Sequence, residues 1–326
     1  MAIPQTGLRY AMGVKMKANK QISPDLEHKN KKNLSKDSVQ AFLMLSPMLI
    51  GFFVFTYIPI IYILRYAFYK YDGFTAGQFI GFDNFIRLFM RDSAFWKSMV
   101  NTLIYVGKLV IEIPLALIIA VLLNQRLKGT GFFRVMLFLP SIMSTAIIGL
   151  IFSLMFAAYQ GVINGILQDI GLIQQPINWF GNKWSAMSVL IMASVWQSVG
   201  INMIFFLMAL QNIPRELYEC ANIDGASGFK RFFHITLPMI APIFQVVLLM
   251  AIVGSIKVSD LVLASTNGQP GGQTEVVMTY VFKYFFGYSG RAVEIGYASA
   301  MAIITGIFLG LITLVYLKLS KKMKAD

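Results

Sequence analysis

The chain has 326 residues, 57% of them hydrophobic and only 13% charged, with a formal net charge of +13 and a single cysteine. A soluble domain carries about 25% charged residues. This much apolar side chain cannot be hidden in one water-exposed globule, so the chain is an integral membrane protein, restricted by backbone hydrogen bonding to helices or a closed barrel. One cysteine excludes an internal disulfide. The two histidines, His28 and His234, are far apart and no Cys/His cluster has zinc spacing, so no metal site is expected. The basic residues sit in loops and tails, the positive-inside pattern of a membrane protein rather than a nucleic-acid surface.

Apolar runs of roughly 20 residues or more suit helices crossing the hydrocarbon; barrel strands are about half that length and alternate. The predicted fold is all-α, with six transmembrane helices over about 41–64, 100–123, 135–156, 187–210, 239–263 and 295–317, inside one membrane domain from 38 to 318. Residues 1–37 are polar and basic, with no apolar stretch close behind a short basic region. They read as a partly disordered cytoplasmic arm, not a secretory signal. The first run carries Pro47 and Pro59 near its ends, where a missing backbone donor does less harm. A turn at Gly81-Phe82-Asp83-Asn84 then precedes a short amphipathic helix with Phe85, Leu88 and Phe89 on one face, suited to lie along the outer interface.

The second run contains Lys108 and Glu112, one helical turn apart and deep in the span. They are either a self-neutralising i, i+4 pair or part of the wall of a transport path, the default reading of an ionisable group at that depth. The third run has no charge and one proline, Pro140. The fourth holds Trp196, Gln197 and Asn202, which either bond to neighbouring helices or offer a stacking face and amide groups to a sugar. In the fifth run Lys257 and Asp260 either pair with each other or form a polar rim of the path. The sixth has Ala298, Ala302, Gly306 and Gly310 every fourth residue, a stripe of small side chains that reads as an interhelical seam. Lysines close the chain in a tail, 319–326.

Between the fourth and fifth runs lies PRELYECANIDGASGFKRFFHITLP, residues 214–238. Pro214 suits the first turn of a helix, Gly225 its end, and Ser227 can cap a second short helix. Glu219-Cys220-Ala221, Gly225, Ile235 and Leu237-Pro238 follow the spacing of the E-A-A loop of ABC importer permeases, which this segment resembles, with Cys220 where the family has a second Ala. FIGFDNFIRLF (79–89) and the run from Asp260 through Thr266, Gly268 and Pro270 are similar to segments of the carbohydrate-uptake class, of the maltose F-type and glycerol-3-phosphate A-type. The resemblance implies that the loop is a cytoplasmic coupling helix seated in a cleft of an ATPase subunit. Glu219, Ala221, Gly225, Ala226 and Pro238 would shape it, with Phe229 and Phe232 or Phe233 as packing knobs.

It further implies an importer that moves a sugar or oligosaccharide across the bacterial cytoplasmic membrane by alternating access. The implied partners are a second homologous permease chain, two ATPase subunits, an extracytoplasmic solute-binding protein and the surrounding lipid. ATP and Mg belong to the ATPase subunits: no G-x-x-x-x-G-K-[ST] phosphate loop occurs here, and no cofactor or catalytic residue is expected on this chain. Six spans put both termini on one side, and charge assigns that side to the cytoplasm. The exceptions are basic residues in the outer segments: Arg65, Lys70, Arg87, Arg91, Lys97, Lys183, Lys283 and Arg291, with Asp72, Asp83 and Asp92 among them. The competing class is an ATP-independent carrier or channel, which often shows repeated halves; no convincing internal repeat is visible.

Overall fold

The computed structural model describes residues 24–125 and 128–322. The first half of the basic arm, Arg126 and the end of the C-terminal tail lie outside the described residues. The chain divides into two units, Met1–Tyr62 and Ile63–Asp326.

The first unit is helical. α1 (Pro24–Phe52) passes through a π turn (Phe53–Tyr57) into α2 (Ile58–Tyr66). The arm expected to be partly disordered is therefore helical over its second half, from a proline whose fixed φ suits a first turn. The stretch Ser38–Tyr66 is long and apolar enough to span a membrane, and none of it is buried within the chain; a helix apolar all round has lipid or another protein as its solvent. The π turn has a local cause. Pro59 cannot donate to the Phe55 carbonyl and its ring would press on it. Instead Ile58 N–H reaches back to Phe53 O, widening the turn ahead of the ring.

The second unit opens with a two-stranded hairpin, β1 (Tyr69–Lys70) and β2 (Gln78–Phe79), paired antiparallel. α3 (Asp83–Met90) follows. It buries Asn84 and Leu88 and leaves Phe89 exposed, so the expected aromatic face is rotated. Asn84 takes the inward place because its amide donates to the carbonyls of Ala67 (2.8 Å) and Tyr69 (3.0 Å).

α4 (Ser93–Val106) and α5 (Leu109–Leu123) form one apolar stretch, tightened at Gly107–Lys108 by i→i−3 bonds to Ile104 O (3.0 Å) and Tyr105 O (3.1 Å). The third apolar run is not one straight span. α6 (Thr130–Ile142) and α7 (Thr145–Met155) meet at 98°, because Met143 and Ser144 are extended. After a short α8 (Val162–Asp169), α9 (Lys183–Gln211) is the helix on which α5, α6 and α12 pack. At Gly200 it meets α6 backbone to backbone: a Cβ there would lie 2.1 Å from Leu137 O.

The 214–238 segment contains α10 (Arg215–Ile223), α11 (Gly228–Arg231) and a second π turn (Phe232–Thr236). α12 (Leu237–Ile256) ends at Lys257, and a separate α13 (Asp260–Ser265) completes the fifth run. α14 (Val277–Phe286) and α15 (Ile295–Lys322) close the fold. Among the described residues five helical stretches are long and apolar enough to span, and the bent α6–α7 pair is a sixth candidate. The small-residue stripe of α15 is packed at Ala298, but Gly306 and Gly310 have no atom within 4 Å of where a Cβ would sit. Within this chain the expected seam closes only at its beginning.

Candidate functional site

Two places concentrate the residues singled out above. The first is a cavity of about 470 Å³ inside the bundle, bordered by α4–α5, α9 and the α12–α13 break. Lys108 and Glu112 line it, 6% and 1% exposed, with Nζ 2.8 Å from Oε2. Lys108 also donates to Ser194 Oγ (2.6 Å), and Asn202 Nδ2 donates to Glu112 Oε1 (2.7 Å). The i, i+4 pair forms, and it also borders the cavity. The tightened turn at Gly107 aims both side chains at α9, whose Ser194 and Asn202 lie two turns apart on one face.

Gln197 lies between them and lines the same cavity. Its side-chain amide donates to Met143 O (3.2 Å) and Thr145 Oγ1 (3.0 Å), and its backbone carbonyl accepts from Ser141 Oγ (2.9 Å). Non-helical backbone at membrane depth persists only where protein satisfies it, and Gln197 does so for the α6–α7 bend. Trp196 is one residue away but about 100° round the helix. It is not among the lining residues; its ring lies 5.8 Å from that of Phe152. Lys257 and Asp260 both border the cavity and are both exposed, without forming an ion pair. Asp260 accepts from Ser259 Oγ (2.8 Å) at the first residue of α13.

The second place is the 214–238 segment. Gly225 has φ +73°, open space around it, and donates to Asn222 O (3.1 Å), while Ala226 N–H reaches Ala221 O (2.9 Å). This double bond pattern is a Schellman cap, and it gives Ala221, Gly225 and Ala226 one shared backbone function. Ser227 accepts from Lys230 N–H (3.4 Å) to start α11. The Tyr218 and Thr236 hydroxyls, 2.9 Å apart, and an Arg231–Asn222 hydrogen bond join the two arms. Pro238 repeats the logic of Pro59: Leu237 N–H reaches back to Phe232 O, and the π turn spares the His234 carbonyl.

Phe232 turns inward against the bundle core beside Tyr218, Ile235 and Leu237. Phe229 (76% exposed) and Phe233 (45%) turn outward with ring centroids 4.6 Å apart. Glu219 is exposed and has no hydrogen bond or ion pair among the described residues.

Sequence reading missed three clusters at the opposite end of the bundle. Lys283 pairs with Glu275 (2.9 Å) where both are buried, and Arg87 bonds Glu294. Asp92 accepts from Phe95 N–H (3.0 Å) and from the hydroxyls of Tyr280 (2.9 Å) and Tyr297 (2.6 Å). Burial first, then Tyr284 and Asp92, push the Tyr280 hydroxyl above its ordinary range, which keeps it a donor. Only the Asp92 cap had a local signal, an Asp just before a helix.

Residues 112–325 match the family of binding-protein-dependent transport system inner membrane components. The chain is 38% identical over 295 residues to the probable ABC transporter permease protein YesP of Bacillus subtilis, covering 90% of this chain and 94% of that one. It is 33% identical to the arabinooligosaccharides transport system permease protein AraP of the same organism, covering 87% and 90%. Among solved structures it is similar to a chain of a bacterial ABC transporter involved in the import of the acidic polysaccharide alginate. There the TM-score is 0.75 at 26% identity, over 90% of this chain and 99% of that one.

Proposed function

This chain belongs to the binding-protein-dependent transport system inner membrane components, and from that premise we propose that it carries a sugar or oligosaccharide through the cavity beside Lys108 and Glu112. It is the membrane permease subunit of an ABC importer, embedded by several apolar helices. ATP hydrolysis resides on a separate subunit, which disposes of the ATP-independent carrier. The proposal has six spans, the bent α6–α7 pair being the third, with both termini and the 214–238 loop in the cytoplasm. A second permease chain, two ATPase subunits binding ATP and Mg, and an extracytoplasmic binding protein complete the machine. The names of the arabinooligosaccharide and alginate relatives support a saccharide as cargo.

The observation that carries the coupling role is the exposed Phe229–Phe233 pair on a loop whose own bonds are internally complete. Two phenylalanines held together and away from the core fit a groove on a partner. The loop drives one-way transport only if it binds two ATPase states with different affinity. The test is isolation of the chain with its associated proteins from native membrane, assayed for ATP hydrolysis with and without binding protein and a panel of neutral and acidic oligosaccharides. Co-isolation of an ATPase, and stimulation by one saccharide class, is the expected result. A chain isolated alone, with uptake driven by an ion gradient, would refute the reading.

A further inference from the structure

The charge rule left eight outer basic residues to be explained, and the structure accounts for most of them individually. Arg87 is bonded to Glu294 and Lys283 is paired with Glu275. Arg291 lies over the rings of Tyr280 (4.4 Å) and Tyr284 (4.6 Å), and Arg65 over those of Tyr66 (5.9 Å) and Tyr69 (5.7 Å). Lys70 borders a separate groove that it shares with Asp72. Two remain, Arg91 and Lys97, and with Lys183 they line one groove of about 510 Å³. Among the described residues Arg91 and Lys97 have neither an acidic nor an aromatic side-chain partner, and Lys183 lies 5.5 Å from the Trp184 ring. The one carboxylate in the groove, Asp92, already accepts from Tyr280, Tyr297 and Phe95 N–H. Three cations against one carboxylate leave the groove with a net positive charge among the described residues.

Its other half is apolar. Trp96 (37% exposed) and Val100 (53%) continue the groove down the span that starts at Ser93, and Phe89 and Met90 flank it. Lys183 is the first residue of the other spanning helix. Cations thus cluster at the start of two spans. Val100 lies about 10 Å further along its helix, at 1.5 Å per residue. Charge at the rim with apolar surface below is the arrangement of a phospholipid, with its phosphate above its acyl chains, and long basic side chains reach up to that level. The acidic surface of a soluble partner would match the cations but would leave Trp96 and Val100 uncovered. We propose that Arg91, Lys97 and Lys183 bind the headgroup phosphate of an anionic phospholipid in the outer leaflet, with its acyl chain along Trp96 and Val100. This inference rests on the proposed orientation of the spans but not on the saccharide cargo or the coupling loop.

The test uses the purified complex, stripped of lipid and titrated with dioctanoyl-phosphatidylglycerol or dioctanoyl-phosphatidylcholine, with bound lipids counted by native mass spectrometry. The wild type should take phosphatidylglycerol in preference. Arg91→Gln, Lys97→Gln and Lys183→Gln should each weaken that binding about fivefold, leaving phosphatidylcholine unchanged. The three together should abolish the preference. Arg91→Lys should retain it, and Lys70→Gln, outside the groove, should not change it. The single variants are read first, because none removes a contact made by the folded chain's core. Unchanged phosphatidylglycerol binding in the triple variant would overturn the proposal. So would equal competition by glycerol phosphate, which has no acyl chain. Loss of stimulation by the binding protein in the triple variant, with phosphatidylglycerol binding unchanged, would instead assign the groove to a protein partner and also overturn it.

Discussion

The cavity and the 214–238 loop are built from opposite uses of polar and apolar groups. On one wall of the cavity the polar groups are buried and turned on one another: Lys108, Glu112, Ser194 and Asn202 are joined by an ion pair and two hydrogen bonds. In the loop the polar groups hold the backbone in shape, while two large apolar side chains are left outside. The second arrangement leaves apolar surface outside the chain, Phe229 76% and Phe233 45% exposed. Burial and satisfaction thus separate the cavity from the loop more clearly than residue type does.

The strongest way to break this contrast is at the loop. Gly225→Asp places a side chain on a residue with φ +73° but open surroundings, so the chain should still assemble in the membrane. Uptake in proteoliposomes should fall to background while ATP hydrolysis persists; normal uptake would remove the loop from the mechanism. At the cavity, Glu112→Ala leaves Lys108 buried without its partner, which costs about 3–5 kcal/mol and should appear as a lowered thermal midpoint in detergent.

Replacing both members, as Lys108→Met with Glu112→Leu, should recover most of that stability. Uptake then sharpens the reading: loss of transport by a stable double variant assigns the pair to the path, and normal transport makes it structural. Gly200→Ala should cost about 1–3 kcal/mol by overpacking, because Leu137 O occupies the place of its Cβ. The smallest effect is expected at Asp72. Bonds from the N–H groups of Thr75 and Phe74 lower its carboxylate to about 2. Its contribution is present above the unfolded value of about 3.9 and is lost as pH falls through 2. Limited proteolysis near residues 72–75 should accordingly not change between pH 7 and pH 4, whereas Asp72→Asn should be cleaved faster.

The spans were legible because a 20-residue apolar run has few alternatives, and the loop because its glycine, serine and proline each have a local backbone task. Lys108 and Glu112 were legible as a pair for the same reason: their spacing is the helix's own. What escaped was non-local. The α6–α7 bend depends on Gln197, which sits more than fifty residues away in sequence, and nothing within 135–156 announces it. Gln197 and Asn202 were visible as polar residues in an apolar run, but neighbouring Trp196 faces elsewhere, and the lining face of a helix is set by its packing partners. The Phe232 and Phe233 choice was also open in sequence, since both follow Phe229 at helical spacing. The π turn sends Phe232 to the bundle core and leaves Phe233 outside.

One helix joins the two regions. From Gly228 through the π turn to Ile256 it runs 29 residues without a large break. Its first turn carries Phe229, and its last residues border the cavity. At 1.5 Å per residue it is about 44 Å long. A tilt of about 10° around its midpoint would carry the two ends about 4 Å in opposite directions. The phenylalanine finger and the chamber wall are then the two arms of one lever. On the proposed coupling, a push on the exposed arm would need no relay of intermediate contacts to open or narrow the chamber at the other.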